Sequence, residues 1–160
     1  MTGFAILSVL FVLSVLLQTT VSSLIAVADI RPNLPLLLLM PVVLRMPVVQ
    51  SVGWAFAVGL LYDLASGTPV GLSSLAYCVA AFVVRTMTRD WVEVGYRRMM
   101  LVWSVGAGIF ESLVSEVYYL GSDLGFVGVL FRYVFPSVVY DVAFGLLILA
   151  ALPVRWWRRL

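Results

Sequence analysis

What most constrains this chain is a succession of long apolar runs separated by short polar, proline-bearing or glycine-bearing breaks. A helical run of about 20 apolar residues matches the ~30 Å hydrocarbon core of a bilayer. A helix also satisfies its own backbone there, where no water is present to do so. Composition agrees: 63% of the 160 residues are hydrophobic and the mean hydropathy is +1.11. Those values exclude an ordinary soluble domain. The pattern predicts an all-α, polytopic membrane helix bundle of six transmembrane helices in one integral membrane domain, residues 1–160. The spans fall at about 4–28, 34–46, 48–64, 72–86, 99–120 and 134–154.

The first two runs carry irregularities. Ala26-Val27-Ala28 before Asp29 resembles a signal-peptidase site, but no Lys or Arg leads the run and it exceeds a normal signal core. It is therefore read as a retained span. Gln18, Thr19 and Thr20 interrupt it and are expected to face other helices, because amides and hydroxyls avoid lipid. The second run is short and holds Pro35 and Pro41, with Pro47 just beyond. Proline removes a donor and clashes with the preceding turn, so this span is expected to be kinked or partly broken. It either crosses fully or forms a re-entrant element.

The third run leads into a turn and then a fourth run. Ser51, Ala55, Gly59 and Asp63 recur every four residues and share one helix stripe. Small residues at that spacing permit close approach of another membrane helix. Gly67, Pro69 and Gly71 then mark a turn. Asp63 is either an ordinary interfacial group or part of a structural or partner-contacting helix-turn-helix.

All ten basic residues are arginines, against eight acidic ones, and the net charge of +2 bears on orientation rather than on nucleic acid. Arg85, Arg89, Arg97 and Arg98 lie between runs four and five, and Arg155, Arg158 and Arg159 close the chain. The positive-inside rule puts both segments in the cytoplasm. With six spans the N-terminus and C-terminus are then cytoplasmic, and the Asp63 turn faces outward. A re-entrant second segment would instead put the N-terminus outside.

Glu111, Glu116, Arg132 and Asp141 are the ionisable groups placed within or near the membrane. Such groups face the bundle, pair with one another or line water. Glu111 and Glu116 are five residues apart and point in different directions around a helix. Helix-helix hydrogen bonding is the simplest role for Glu111 and Asp141, and headgroup exposure for Glu116 and Arg132. A pairing of Arg132 with Glu111 or Glu116 is the sharper alternative.

Nothing points to soluble-type catalysis. Histidine is absent and Cys78 is the single cysteine, which removes the commonest neutral base and any intrachain disulfide or thiol-ligated metal site. Phosphate-loop, dinucleotide, zinc-hydrolase and nucleophile-elbow motifs are missing as well. No enzyme, cofactor or metal is expected.

At the hinge and the glycine-bearing hairpin the sequence resembles the bacterial rod shape-determining MreD family. The match lies in Arg31-Pro32-Asn33-Leu34, in Gly59-Leu60-Leu61-Tyr62-Asp63-Leu64, and in Ser66-Gly67-Thr68-Pro69-Val70-Gly71-Leu72 followed by Ala76-Tyr77. Glu111 is the best local match farther on. The resemblance implies a non-enzymatic inner-membrane scaffold of the machinery that builds lateral cell wall and maintains rod shape. It implies binding to an MreC-like single-span periplasmic scaffold protein. Through that partner come a RodA-type polymerase, its transpeptidase partner and MreB filaments. Membrane lipids would contact the basic loop. Arg31, Pro32, Asn33, Gly59, Asp63, Gly67, Pro69 and Gly71 become partner-binding or structural positions. The resemblance further implies a fold similar to the six-helix substrate-binding subunits of energy-coupling-factor transporters. From that likeness comes the alternative function, a small-molecule or lipid-binding membrane transport subunit.

Overall fold

The computed structural model describes residues 2–20, 26, 30–91, 95–119 and 125–151. Seven α-helices follow one another there: α1 (Thr2–Thr20), α2 (Leu34–Val43), α3 (Val48–Ser66), α4 (Leu72–Met87), α5 (Tyr96–Tyr118), α6 (Phe126–Val129) and α7 (Phe135–Ala151). A five-residue π-helical turn, Leu130–Val134, joins α6 to α7 without a break. Pro136 explains that turn. In a regular helix its ring would press on the carbonyl four residues back, and the wider π turn moves that carbonyl away.

The expectation of six spanning helices is not met. Among the described residues, three helices are long and apolar enough to cross a membrane: Val48–Ser66, Arg97–Tyr118, and Phe126–Ile148 across the π turn. Phe4–Thr20, Leu34–Val43 and Leu72–Met87 are apolar but shorter. At ~1.5 Å per residue, a ten-residue helix reaches only about half of a ~30 Å core. Local chemistry sets these lengths: Asn33 caps the start of α2, and tight turns at Leu44–Met46 end it before Pro47. Residues 21–25, 27–28, 120 and 152–154, which the expected spans included, lie outside the described residues. The fold is thus an all-α multi-pass bundle with three membrane-length helices, and the six-helix likeness to transporter subunits loses its basis.

α2 sits inside this bundle, against α1, α3, α4 and α5. Leu36, Leu39, Met40 and Val43 are wholly inaccessible. The helix is apolar all round, as suits a core position, and only the face of Leu34, Leu38, Pro41 and Val42 stays half-buried. The antiparallel α3–α4 hairpin forms one wall, and α5 packs on α4 while α7 packs on α5. Trp103 and Tyr77 are the largest fully buried side chains. On the outside, α1 exposes Phe4, Ile6, Val9, Leu13 and Leu16, a surface suited to lipid rather than water.

The prolines of the second run are accommodated by donors from elsewhere in the bundle. In a helix the Leu37 carbonyl would bond the amide of residue 41, but Pro41 has no N–H. The indole Nε1 of Trp103 on α5 donates to that carbonyl at 3.2 Å. Pro47 likewise withholds its amide from Val43. There the Met46 N–H lies at 3.4 Å and the Ser51 hydroxyl at 3.2 Å. Arg85 Nε donates to the Met46 carbonyl at 2.7 Å, tying α4 to the same corner.

Gly59 marks the closest helix approach. A Cβ added there would fall on the α4 backbone, 2.6 Å from Ser74 N and 2.9 Å from the Ser73 carbonyl carbon. Ser51, Ala55 and Asp63 on the same stripe are also buried. A Cβ at Gly53 would meet nothing within 4 Å.

Two stability outcomes follow from this packing. Gly59→Ala should destabilise the bundle by about 1–3 kcal/mol or more, because backbone must move, whereas Gly53→Ala should be neutral or slightly stabilising. Thermal unfolding in detergent compares them directly. Trp103→Phe should cost roughly 1–3 kcal/mol through the orphaned Leu37 carbonyl. That cost should shrink in a Pro41→Ala background, which restores the helical amide; a double-mutant cycle with no coupling would refute the pairing.

Candidate functional site

One end of the bundle collects the polar side chains. Its first component is the start of α2. The first four amides of any helix lack helical partners. Here Leu34 N–H donates to Gln18 Oε1 of α1 at 2.8 Å, and Pro35 has no amide to satisfy. Leu36 N–H donates to Asn33 Oδ1 at 3.1 Å, and Leu37 N–H to the Asn33 carbonyl at 3.0 Å. The set is closed without water.

Asn33 is also the junction between distant parts of the chain. Its own N–H donates to Asp141 Oδ1 at 2.6 Å, and its Oδ1 accepts from the Tyr77 hydroxyl at 2.6 Å. Tyr77 stacks on Phe110 with ring centroids 4.4 Å apart and meets Tyr62 edge-on. One buried asparagine thereby links α2 to α4 and α7, with α5 and α3 against the tyrosine ring. Asp141 is fully buried, and its Oδ2 has no hydrogen-bond partner.

The second component is the α3–α4 turn. Gly67 ends α3 with φ +68° and donates its N–H to the Asp63 carbonyl at 3.1 Å. Gly71 precedes α4 with φ +99°. Both values fall where side chains other than glycine are strained. The Asp63 carboxylate reaches across the turn and serves as the cap of α4. Oδ1 accepts from Thr68 Oγ1 at 2.9 Å and Ser73 N–H at 3.1 Å. Oδ2 accepts from Gly71 N–H at 2.8 Å, with Ser74 N–H and Oγ at 3.4 Å. A carboxylate at a helix N-terminus is further favoured by the helix dipole. Asp63 is 1% exposed, so its bonds are made inside the chain.

The other sequence-selected residues are distributed around these two components. Pro32 is buried beside Asn33, whereas Arg31 and Pro69 are exposed. Glu111 is half-buried and lines a cavity of about 620 Å³ together with Arg31, Gln18, Asn33, Ser73 and four tyrosines. Glu116 is half-buried elsewhere, and Arg132 is exposed on the π turn. Neither forms the ion pair considered from sequence. The structure therefore gathers Arg31, Asn33, Glu111 and Asp141 at one end, gathers Gly59, Asp63, Gly67 and Gly71 in the hairpin, and leaves Glu116 and Arg132 apart. Sequence reasoning did not assign roles to Trp103, Ser73 and Ser74. The signal for Trp103 was available, since Pro41 leaves a buried carbonyl in need of a donor. No sequence signal pairs Asp141 with Asn33, 108 positions away.

No group of three or more His, Cys, Asp or Glu side chains among the described residues could hold a metal ion. The polar groups are largely spent on joining helices. Such a bundle is a multi-pass membrane protein built as a framework. The family model described as rod shape-determining protein MreD matches residues 1–152, and the chain belongs to that family. It is accordingly a non-enzymatic, multi-pass inner-membrane protein of cell-shape determination. No curated protein and no solved structure matches the chain. The expected likeness to energy-coupling-factor transporter subunits thus has neither a matching structure nor the helix count behind it.

The Asp63 cap makes a graded prediction. Asp63→Asn keeps one acceptor oxygen and should lose part of the stability that Asp63→Ala loses in full. The alanine variant should cost at least about 2 kcal/mol, given several bonds to a charged acceptor. Chemical unfolding in detergent, followed by tryptophan fluorescence, gives the order.

Proposed function

We propose that this chain is the membrane scaffold to which an MreC-like single-span protein docks, within the machinery that elongates the lateral wall. The observation that carries the reading is an apolar groove of about 620 Å³ lined from α4, α5, the π turn and α7. Ser104, Gly108 and Ser112 of α5 line it at four-residue spacing. A Cβ at Gly108 would meet nothing within 4 Å, whereas Gly59, Gly106 and Gly145 are each already packed against this chain. An open small-residue stripe admits a second helix at short distance, where dispersion and weak hydrogen bonds hold membrane helices together. The docking face is therefore assigned to α5 rather than to the Gly59 stripe. Family membership supports the identity of the partner. Through it the chain would reach a RodA-type polymerase, its transpeptidase partner and MreB filaments.

Orientation follows from charge. Arg45, Arg85, Arg89, Arg97 and Arg98 flank the ends of α2 to α5 away from the Asp63 turn. With that end cytoplasmic, the start of α1 and the end of α7 are cytoplasmic too, and the Asp63 turn and Asn33 junction face outward. The arginine end would then meet anionic headgroups. The C-terminal arginines lie outside the described residues.

Co-purification from membranes tests the reading. The wild-type chain should bring down an MreC-like protein. Gly108→Leu and Ser104→Leu should lower recovery at least about tenfold, a loss of ~1.4 kcal/mol, with thermal unfolding unchanged. Full recovery with both variants would remove the groove, and no recovery with wild type would remove the scaffold reading.

A further inference from the structure

The cavity at the polar end has a composition that helix joining does not account for. It draws on α1 through Gln18 and Thr19, the segment before α2 through Arg31 and Asn33, α3 through Tyr62 and Ser66, α5 through Glu111 and Tyr118, and the last helical run through Tyr133 and Ser137. Its volume of about 620 Å³ is within the range of small-molecule sites. Glu111 makes no hydrogen bond or ion pair with a described residue. Asp141 lies behind it, with Oδ2 buried and without a hydrogen-bond partner. A half-buried carboxyl group without a partner on a cavity wall calls for positive charge or N–H donors. The cation on the lining is Arg31, which is exposed. Tyr62, Tyr118, Tyr119 and Tyr133 complete a lining suited to an organic cation.

We propose that this cavity binds a zwitterion, its protonated primary amine received by Glu111 and its phosphate or carboxylate by Arg31. The site lies where the end of α1, the start of α2 and the end of α5 converge. Two sources share this chemistry: the ethanolamine phosphate headgroup of an aminophospholipid, and a free soluble zwitterion of the same kind. A quaternary ammonium fits less well, because it offers no N–H to the unpartnered carboxylate. This assignment is independent of the α5 groove, which lies on other residues.

Binding to the purified full-length protein in detergent, measured by calorimetry and native mass spectrometry, tests it. The probes are short-chain phosphatidylethanolamine, phosphatidylcholine of equal chain length, and glycerophosphoethanolamine. Phosphatidylethanolamine should bind saturably and at least about tenfold more tightly than phosphatidylcholine, a difference of ~1.4 kcal/mol. Comparable binding of glycerophosphoethanolamine would identify a soluble ligand as sufficient; binding of the lipid alone would identify the headgroup in its bilayer setting. Glu111→Gln should lose the preference for the primary amine, and Arg31→Gln should weaken both ethanolamine probes. Equal binding of the two lipids by wild type, or an undiminished preference in Glu111→Gln, overturns the proposal. The wild-type comparison decides alone if Glu111→Gln does not fold. Absence of saturable binding by any probe also overturns it.

Discussion

A backbone carbonyl that loses its helical donor inside a bilayer has no water to turn to, and the rest of this fold is built around that constraint. Three prolines fall in or beside the second apolar run. Pro41 and Pro47 each withhold the amide that would have bonded a carbonyl of the short helix at the heart of the bundle. The repair comes from other helices: Trp103 for Leu37, and Ser51 together with the neighbouring turn for Val43. α2 can be short and broken because α3, α4 and α5 supply what it lacks. In return, those bonds fix where α5 and α3 stand relative to it.

The two ends of the hairpin follow the same logic with charged and amide side chains. Asp63 satisfies the opening amides of α4 from the preceding helix, and glycines on either side of the turn make the reversal possible. Asn33 and Gln18 do the same for α2. Desolvated hydrogen bonds of this kind are stronger than their surface equivalents, and costly when half-made. A framework closed in this way keeps its shape while its outer faces differ. One face is apolar and suited to lipid; beside α5 lies an apolar groove; at the polar end lies a cavity with a carboxyl group and a guanidinium. For a non-enzymatic member of a cell-shape family, a rigid body with distinct faces is the useful property.

Much of the hairpin was legible in the residues themselves. Spacing put Ser51, Ala55, Gly59 and Asp63 on one stripe, and the turn chemistry of Gly67 and Gly71 marked where the chain reverses. Legibility failed where length alone was used. An apolar run of helical composition reads as a span, yet α2 is ten residues long because a capping asparagine and prolines bound it. Hydropathy does not register those limits. The Gly59 stripe likewise reads as a surface for any helix. Only the packed structure shows that α4 of the same chain occupies it, while the comparable stripe at Gly108 stays open.

By itself, the sequence determined that this is an all-α membrane bundle without soluble-type catalytic machinery, and its hinge and hairpin motifs pointed to the family. Those properties are local: they depend on composition, on four-residue periodicity and on turn residues within a short window. Tertiary structure alone decided that Asn33 meets Asp141 and Tyr77, that Trp103 answers Pro41, and that Glu111 shares a cavity with Arg31. Those pairings join residues far apart in the chain. Their partners are selected by which helices pack together, and local pattern carries no record of that choice.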